Sequence, residues 1–391
     1  MSIARTPILL LVSSLERGGA ERQVIHLANG LDRGRFDVHV CSLSNNNPLA
    51  ESLRSDVTLH ILQKRGKYDA SLIFRAARLM RNMRAAIVHS FLFDAEIVGR
   101  LAGRWARVPA IICSNRCPHL THGRFKLWVK RITAGCFDAM VANSWAGREF
   151  ECAQGLSKNR VIVIPNGVDV EAFQPRDALG TRRELGVGPE TPLIGMVAHF
   201  RGNKNHAMLI RAAAQVVSRH PDARFALAGR PDDPRPDSLY NDARRLVAQR
   251  QLGDRVQFLG ERSDVAALYN AFDINVLASK FEGTANVLLE AMACGAATIA
   301  TDVGDNARVL IDNETGYVIA NDDANALADR LLRLIEDSEL RRRFGAAGRA
   351  RAVGEFSIAA MVRKSAEVYL GVLQAKGVAG GAVRDTVVAA D

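Results

Sequence analysis

Ser279-Lys-Phe-Glu-Gly-Thr-Ala-Asn-Val-Leu-Leu-Glu-Ala-Met-Ala-Cys-Gly-Ala-Ala-Thr-Ile-Ala-Thr301 is the stretch that decides the fold. An apolar strand ending near Leu277 runs into a turn of small residues, Glu282 to Asn286, and a helix begins at Val287-Leu288-Leu289-Glu290. A further apolar run, Ala297–Ala300, follows the helix, so the order is that of a parallel βαβ unit. Such a turn aims free backbone N–H groups and the positive end of a helix over the strand, which suits a phosphate. Glu282 and Glu290 flank the turn. Carboxylates repel phosphates, so the pair is better suited to accept hydrogen bonds from hydroxyls. A sugar at one end of a diphosphate and a ribose at the other would satisfy both.

The same alternation extends outward. Ile8–Val12, Asp37–Ser42, Ala86–His89 and Ala110–Cys113 are short apolar runs separated by amphipathic stretches. A second series comprises Leu193–Ala198, Arg224–Ala228, Arg255–Leu259, Ile274–Leu277 and Ala297–Ala300. Strands alternating with helices predict parallel sheets covered on both faces. At roughly 100 to 200 residues per domain, a chain of 391 residues accommodates two such units. Val161-Ile-Val-Ile-Pro-Asn-Gly-Val-Asp runs a strand into the turn signal Pro165-Asn166-Gly167, which places a boundary there. The expected domains are 1–165 and 166–370, the last helix packing back toward the first domain, with 371–391 a loose tail.

Four pieces together resemble a known family: Phe281-Glu-Gly-Thr-Ala-Asn-Val-Leu-Leu-Glu-Ala-Met-Ala-Cys-Gly295, Gly18-Gly19-Ala20-Glu21, Pro165-Asn166-Gly167-Val168-Asp169 and Lys204-Asn205-His206. The chain is similar, over about residues 7–370, to the retaining GT-B glycosyltransferases of family 4. The resemblance implies two Rossmann-like domains facing across a cleft, a nucleotide-sugar donor (UDP- or GDP-linked) held mainly by the second, and a glycan or lipid-linked acceptor on the first. It implies that Glu282 contacts the donor sugar and Glu290 the ribose. Backbone N–H groups of Gly283, Thr284, Ala285, Asn286, Val287 and Leu288 would face the diphosphate. Lys204, supported by Arg201, would neutralise the leaving phosphates. Gly18 and Gly19 would let the first loop approach the donor closely.

Two departures stand out. Many members carry an arginine where this chain has His199, and Arg201 is expected to replace it. Many also have a histidine at the end of the strand Ile111-Ile112-Cys113-Ser114-Asn115, where this chain offers Arg116 or His119 for the polar role. The resemblance implies retention of anomeric configuration. With no nucleophile evident, a same-face displacement is expected, in which the leaving phosphate helps take the acceptor proton.

Composition bounds the rest. Apolar residues make up 48% and charged residues 24%, which excludes bulk disorder. Lys plus Arg number 52 against 42 Asp plus Glu, a net charge of +10 that calls for an anionic partner. Residues 1–165 hold 24 basic against 12 acidic residues, and 166–391 hold 28 against 30, so the whole excess lies in the first half. Arg75, Arg78, Arg81 and Arg84 interleave with Phe74, Leu79, Met80 and Met83, and a second cluster surrounds Trp128. Such stretches suit peripheral contact with an anionic membrane, where a lipid-linked acceptor would be presented. No apolar window is long enough to span a bilayer. Six scattered cysteines and a five-residue first apolar run point to a cytoplasmic setting, at the inner face of the membrane. No cofactor is expected. Cys113, Cys117, His119 and His122 are spaced too tightly for a usual zinc site, and Asp232-Asp233 and Asp322-Asp323 read as turn residues, so transfer is expected to need no metal. Nucleic-acid binding would explain the charge, but no reading helix, zinc module or aromatic platform is evident. A GT-B-fold sugar-nucleotide epimerase is the other alternative.

Overall fold

The computed structural model describes residues 5–66, 69–115, 124–231 and 238–378. These form two compact units. One comprises the described residues up to Gly167 and from Ile358 onward, and the other is the uninterrupted segment Val168–Ser357.

The first unit carries seven parallel strands: β1 (Thr6–Val12), β2 (Phe36–Ser42), β3 (Thr58–Ile61), β4 (Ile87–Phe91), β5 (Ala110–Asn115), β6 (Ala139–Ala142) and β7 (Val161–Val163). Their order in the sheet is β3-β2-β1-β4-β5-β6-β7. β1 pairs with β2 on one side and β4 on the other, so the strand order reverses there and a crevice opens at the strands' C-terminal ends. Residues Ile8–Val12 are wholly buried, because helices cover both faces of the sheet. The helices used below are α1 (Gly19–Gly30), α2 (Ser71–Asn82), α3 (Phe93–Ala106) and α4 (Arg124–Ile132).

The helix Ile358–Ala375 completes this unit. Its Met361, Val362, Tyr369 and Leu373 pack into the same core as Ile8, Leu10 and Phe36. The Tyr369 hydroxyl lies 2.6 Å from Nδ1 of the buried His89, whose Nε2 lies 2.8 Å from Ser114 Oγ. The expected second domain ran to 370 with this last helix packing back toward the first domain; the helix groups with the first unit.

Gly167 explains the Pro165-Asn166-Gly167 signal. A Cβ at Gly167 would lie 2.8 Å from Ile358 Cα, so only glycine lets the two chain passages meet. The Gln23 amide clamps Gly167 from the other side, donating to its carbonyl at 2.9 Å and accepting from its N–H at 2.8 Å.

The second unit has six parallel strands: β8 (Leu193–Val197), β9 (Arg224–Ala228), β10 (Val256–Gly260), β11 (Ile274–Leu277), β12 (Ala297–Thr301) and β13 (Tyr317–Ile319), in the order β10-β9-β8-β11-β12-β13. The reversal falls between β8 and β11. The loops leaving those two strands therefore flank one crevice, and they carry Arg201, Lys204 and Glu282.

Candidate functional site

The loop after β8 is shaped by a neutral histidine. His206 opens the helix His206–Arg219, stacks on Phe200 at 4.0 Å and places Nε2 3.2 Å from the Ala198 carbonyl. Burial pushes its pKa down to about 4, so the ring is uncharged at neutral pH and Nε2–H donates. This bond closes the loop that bears Arg201 and Lys204. Gly229 lets the neighbouring strand end approach, since a Cβ there would lie 1.9 Å from the Ala198 oxygen. His199 Nδ1 accepts the Arg230 N–H at 3.4 Å.

Lys204 and Glu282 meet across the crevice in an ion pair between Nζ and Oε1, with side chains 19% and 12% exposed. Ser279 Oγ donates to the same Glu282 oxygen at 2.6 Å. The backbone holds the two loops together as well, Lys280 N–H donating to the Asn203 carbonyl at 2.7 Å. Thr301, at the end of β12, donates its hydroxyl to the Ser279 carbonyl at 2.6 Å. Gly304 lies against the turn at φ +57, where a Cβ would come within 2.2 Å of the Glu282 carbonyl. Asp305 N–H reaches the Gly283 carbonyl at 3.2 Å.

The turn feeds the helix Asn286–Ala293, whose cap position, Ala285, supplies no side-chain acceptor to the first turn. Thr284, Ala285 and Leu288 are buried. Leu288 N–H donates to the Ala285 carbonyl at 3.1 Å. Glu290 Oε2 accepts the hydroxyl of the fully buried Tyr269 at 3.4 Å. Burial and the Glu290 charge raise the Tyr269 pKa well above its ordinary value, so it stays a donor. Burial also pushes the Cys294 thiol up to about 12, leaving it inert.

One participant escaped the sequence reading. Asn205, directly after Lys204, adopts left-handed backbone (φ +53) and donates Nδ2–H to Asp322 Oδ1 at 3.0 Å. Asp322 is itself left-handed (φ +58) and also accepts from Arg211 at 2.7 Å. The hydrogen bond from Asn205 and the Arg211 charge hold its carboxyl below the usual range. Asp322 had read only as a turn residue. It latches the Lys204 loop to the segment beyond β13.

In the first unit, Gly18 precedes α1 and Gly19 is its first residue. A Cβ at Gly18 would lie 2.1 Å from the Glu21 carboxylate, which folds over it and whose pKa is raised, chiefly by burial. Arg116 and His119 lie outside the described residues. Among the described residues no cluster of three or more His, Cys, Asp or Glu side chains is arranged to hold a metal ion, and no helix is long and apolar enough to cross a membrane.

Two family models match the chain. Residues 180–351 match the model of glycosyl transferases group 1, and residues 17–172 match that of Glycosyltransferase Family 4. The chain belongs to the group 1 glycosyltransferases. An alpha-maltose-1-phosphate synthase of Mycolicibacterium smegmatis is 29% identical, over 90% of this chain and 95% of that protein. An Escherichia coli UDP-Gal:alpha-D-GlcNAc-diphosphoundecaprenol alpha-1,3-galactosyltransferase is 27% identical, over 88% of this chain and 86% of that protein. Among solved structures, Anabaena HepE in complex with UDP superposes with a TM-score of 0.84 at 22% identity, covering 94% of this chain and all of that one. The two parallel sheets with flanking helices are the GT-B fold, and this member of the family is a glycosyltransferase.

Proposed function

We propose that this glycosyltransferase moves a sugar from a UDP- or GDP-linked donor to a glycan or lipid-linked acceptor, with retention of anomeric configuration and without a metal ion, in cell-surface polysaccharide or glycolipid synthesis. The observation that carries the reading is the Lys204–Glu282–Ser279 cluster at the β8/β11 reversal, beside the start of the helix Asn286–Ala293. A diphosphate seated on that helix end brings negative charge to Lys204, which exchanges its carboxylate partner for phosphate oxygens. Glu282, still held by Ser279, then has carboxylate capacity for the sugar hydroxyls. Glu290, fixed by Tyr269, suits the ribose.

As the bond between the anomeric carbon and the diphosphate oxygen breaks, charge grows on that oxygen, and Lys204 with Arg201 stabilises it as a divalent ion would. The acceptor oxygen forms the new bond on the same face, and its proton passes to the leaving phosphate. The relatives support the substrate classes: HepE was solved with UDP, and the E. coli enzyme is named for a UDP-sugar and a diphosphoundecaprenol acceptor. The basic surplus of residues 1–165 supports an acceptor presented at the inner face of the cytoplasmic membrane. Arg116 or His119 is proposed to supply the polar group beside the reacting sugar, and the Gly18-Gly19 loop a close approach to the donor.

The test is transfer from UDP- and GDP-sugars to a panel of lipid-linked acceptors, with excess chelator present. Lys204→Ala is expected to lower kcat by about 10²- to 10³-fold, the usual cost of losing a charge stabiliser. Glu282→Ala should also lower kcat while leaving nucleotide binding. Full activity in both variants overturns the site, and loss of activity with chelator overturns metal independence.

A further inference from the structure

Between Asp69 and Asp138 the chain holds only two acidic residues, Asp94 and Glu96. Neither contributes a free negative charge: Asp94 is paired with Lys64 at 2.6 Å, and Glu96 is buried against Arg100. Over the same span α2 and α3 build a surface rich in arginine and aromatic rings. Phe74, Arg78 and Arg81 lie at helical spacing on one face of α2. Phe74 is 57% exposed, and its ring meets edge-on, at 4.2 Å between centroids, the 44%-exposed Trp105 at the end of α3. Arg81 joins the two helices, donating to the Trp105 carbonyl at 2.9 Å. Arg78, Arg81, Arg84, Arg104 and Arg107 are all exposed.

Two of these arginines occupy backbone that favours glycine. Arg84, just past α2, has φ +52, and Arg107, just past α3, has φ +59. Helices commonly end on glycine at this position because an L side chain is strained there. Each arginine stands three residues before a strand, and the first residues of those strands, Ile87 and Ala110, are register partners, so the pair projects from equivalent places on adjacent strands. The two cationic side chains therefore leave the sheet side by side.

We propose that this α2/α3 surface seats on an anionic lipid bilayer, the arginines meeting headgroup phosphates and the Phe74–Trp105 pair entering the interface. Exposed aromatic rings beside arginine suit a bilayer boundary, where an amphipathic ring is at home. Arg84 and Arg107 lie at the N-terminal edge of the sheet and the Gly18-Gly19 loop at its C-terminal edge, so a membrane seated there leaves that loop open. The inference rests on the reading of a membrane-presented acceptor, and the two fail separately.

The test is co-sedimentation of the full chain with vesicles at low salt. Wild type should bind vesicles containing phosphatidylglycerol and largely ignore those of phosphatidylcholine alone. An Arg84→Gly/Arg107→Gly variant should lose about fivefold in partition per arginine, roughly 25-fold in all, while its melting temperature holds or rises because glycine accepts both φ values. Unchanged partition, whatever the melting temperature does, means that the arginines serve only the helix ends and overturns the proposal. So does equal binding of wild type to both vesicle types, or displacement from the vesicles by duplex DNA, which would reassign the surface to nucleic acid. Stabilisation by UDP- or GDP-sugars, measured on the same samples, separates the two ideas: its absence with vesicle binding intact sinks the transfer reading alone.

Discussion

His206 shows how one residue type can be read correctly and its role still missed. It lies two residues after Lys204 in the triplet Lys204-Asn205-His206, where the sequence assigned chemistry to Lys204 alone. Its imidazole instead closes the β8 loop through Ala198 and is kept neutral by burial. The pKa falls from 6.5 to about 4, so the unfolded chain binds the proton more readily than the folded one. Stability from this group is therefore complete above the unfolded value, declines as pH falls from about 6.5 toward 4, and levels off below. A shift of this size is worth up to about 3 kcal/mol. Urea melts at pH 7 and pH 4.5 should show His206→Gln losing less stability than wild type over that interval. Parallel losses in the two proteins would mean that the folded histidine titrates normally.

At the scale of elements, most strands were legible because buried parallel strands are runs of apolar residues that need no partner to be recognised. Three were not. β3 is a half-exposed edge strand, Thr58-Leu-His-Ile, with mixed polarity; β6 is four residues of small to medium size; and β13 is three residues long. Within the site, Glu282 and Lys204 were legible through motif and chemistry, and Ser279 lay unnoticed in the decisive stretch itself. The Asn205–Asp322 latch spans 117 positions and has no local pattern, because two left-handed residues leave no periodicity. It yields a prediction about the loop. Asp322→Gly removes the acceptor from Asn205 but relieves the backbone at φ +58, so stability should change by less than about 1 kcal/mol. If the latch positions Lys204, donor affinity should still drop about fivefold, the worth of one hydrogen bond of about 1 kcal/mol. Titration of UDP-sugar by calorimetry decides, and an unchanged affinity would reduce Asp322 to a turn residue.

For the whole molecule, the division into two units has a consequence that the strand pattern alone did not carry. The second unit is one unbroken segment whose ends are tied to each other, Val168 N–H donating to the Phe356 carbonyl at 2.8 Å. It contains its own sheet and core, together with Arg201, Lys204, Glu282, Glu290 and Asp322. The first unit is interrupted, and its core is closed by Met361, Val362, Tyr369 and Leu373 from beyond the second. Burying four such side chains contributes about 6 to 12 kcal/mol, comparable to the roughly 5 to 15 kcal/mol by which a domain is stable at all. Residues 168–357 expressed alone should therefore melt cooperatively and retain stabilisation by a nucleotide sugar. Residues 1–167 alone should not melt cooperatively, because His89 loses Tyr369 and the core around Ile8, Leu10 and Phe36 loses four buried side chains. Circular dichroism melts of the two fragments test this directly. A cooperative melt of 1–167 would make the helix Ile358–Ala375 an accessory to a core complete without it, and the boundary near Pro165 would then be a true domain end rather than the start of an insertion.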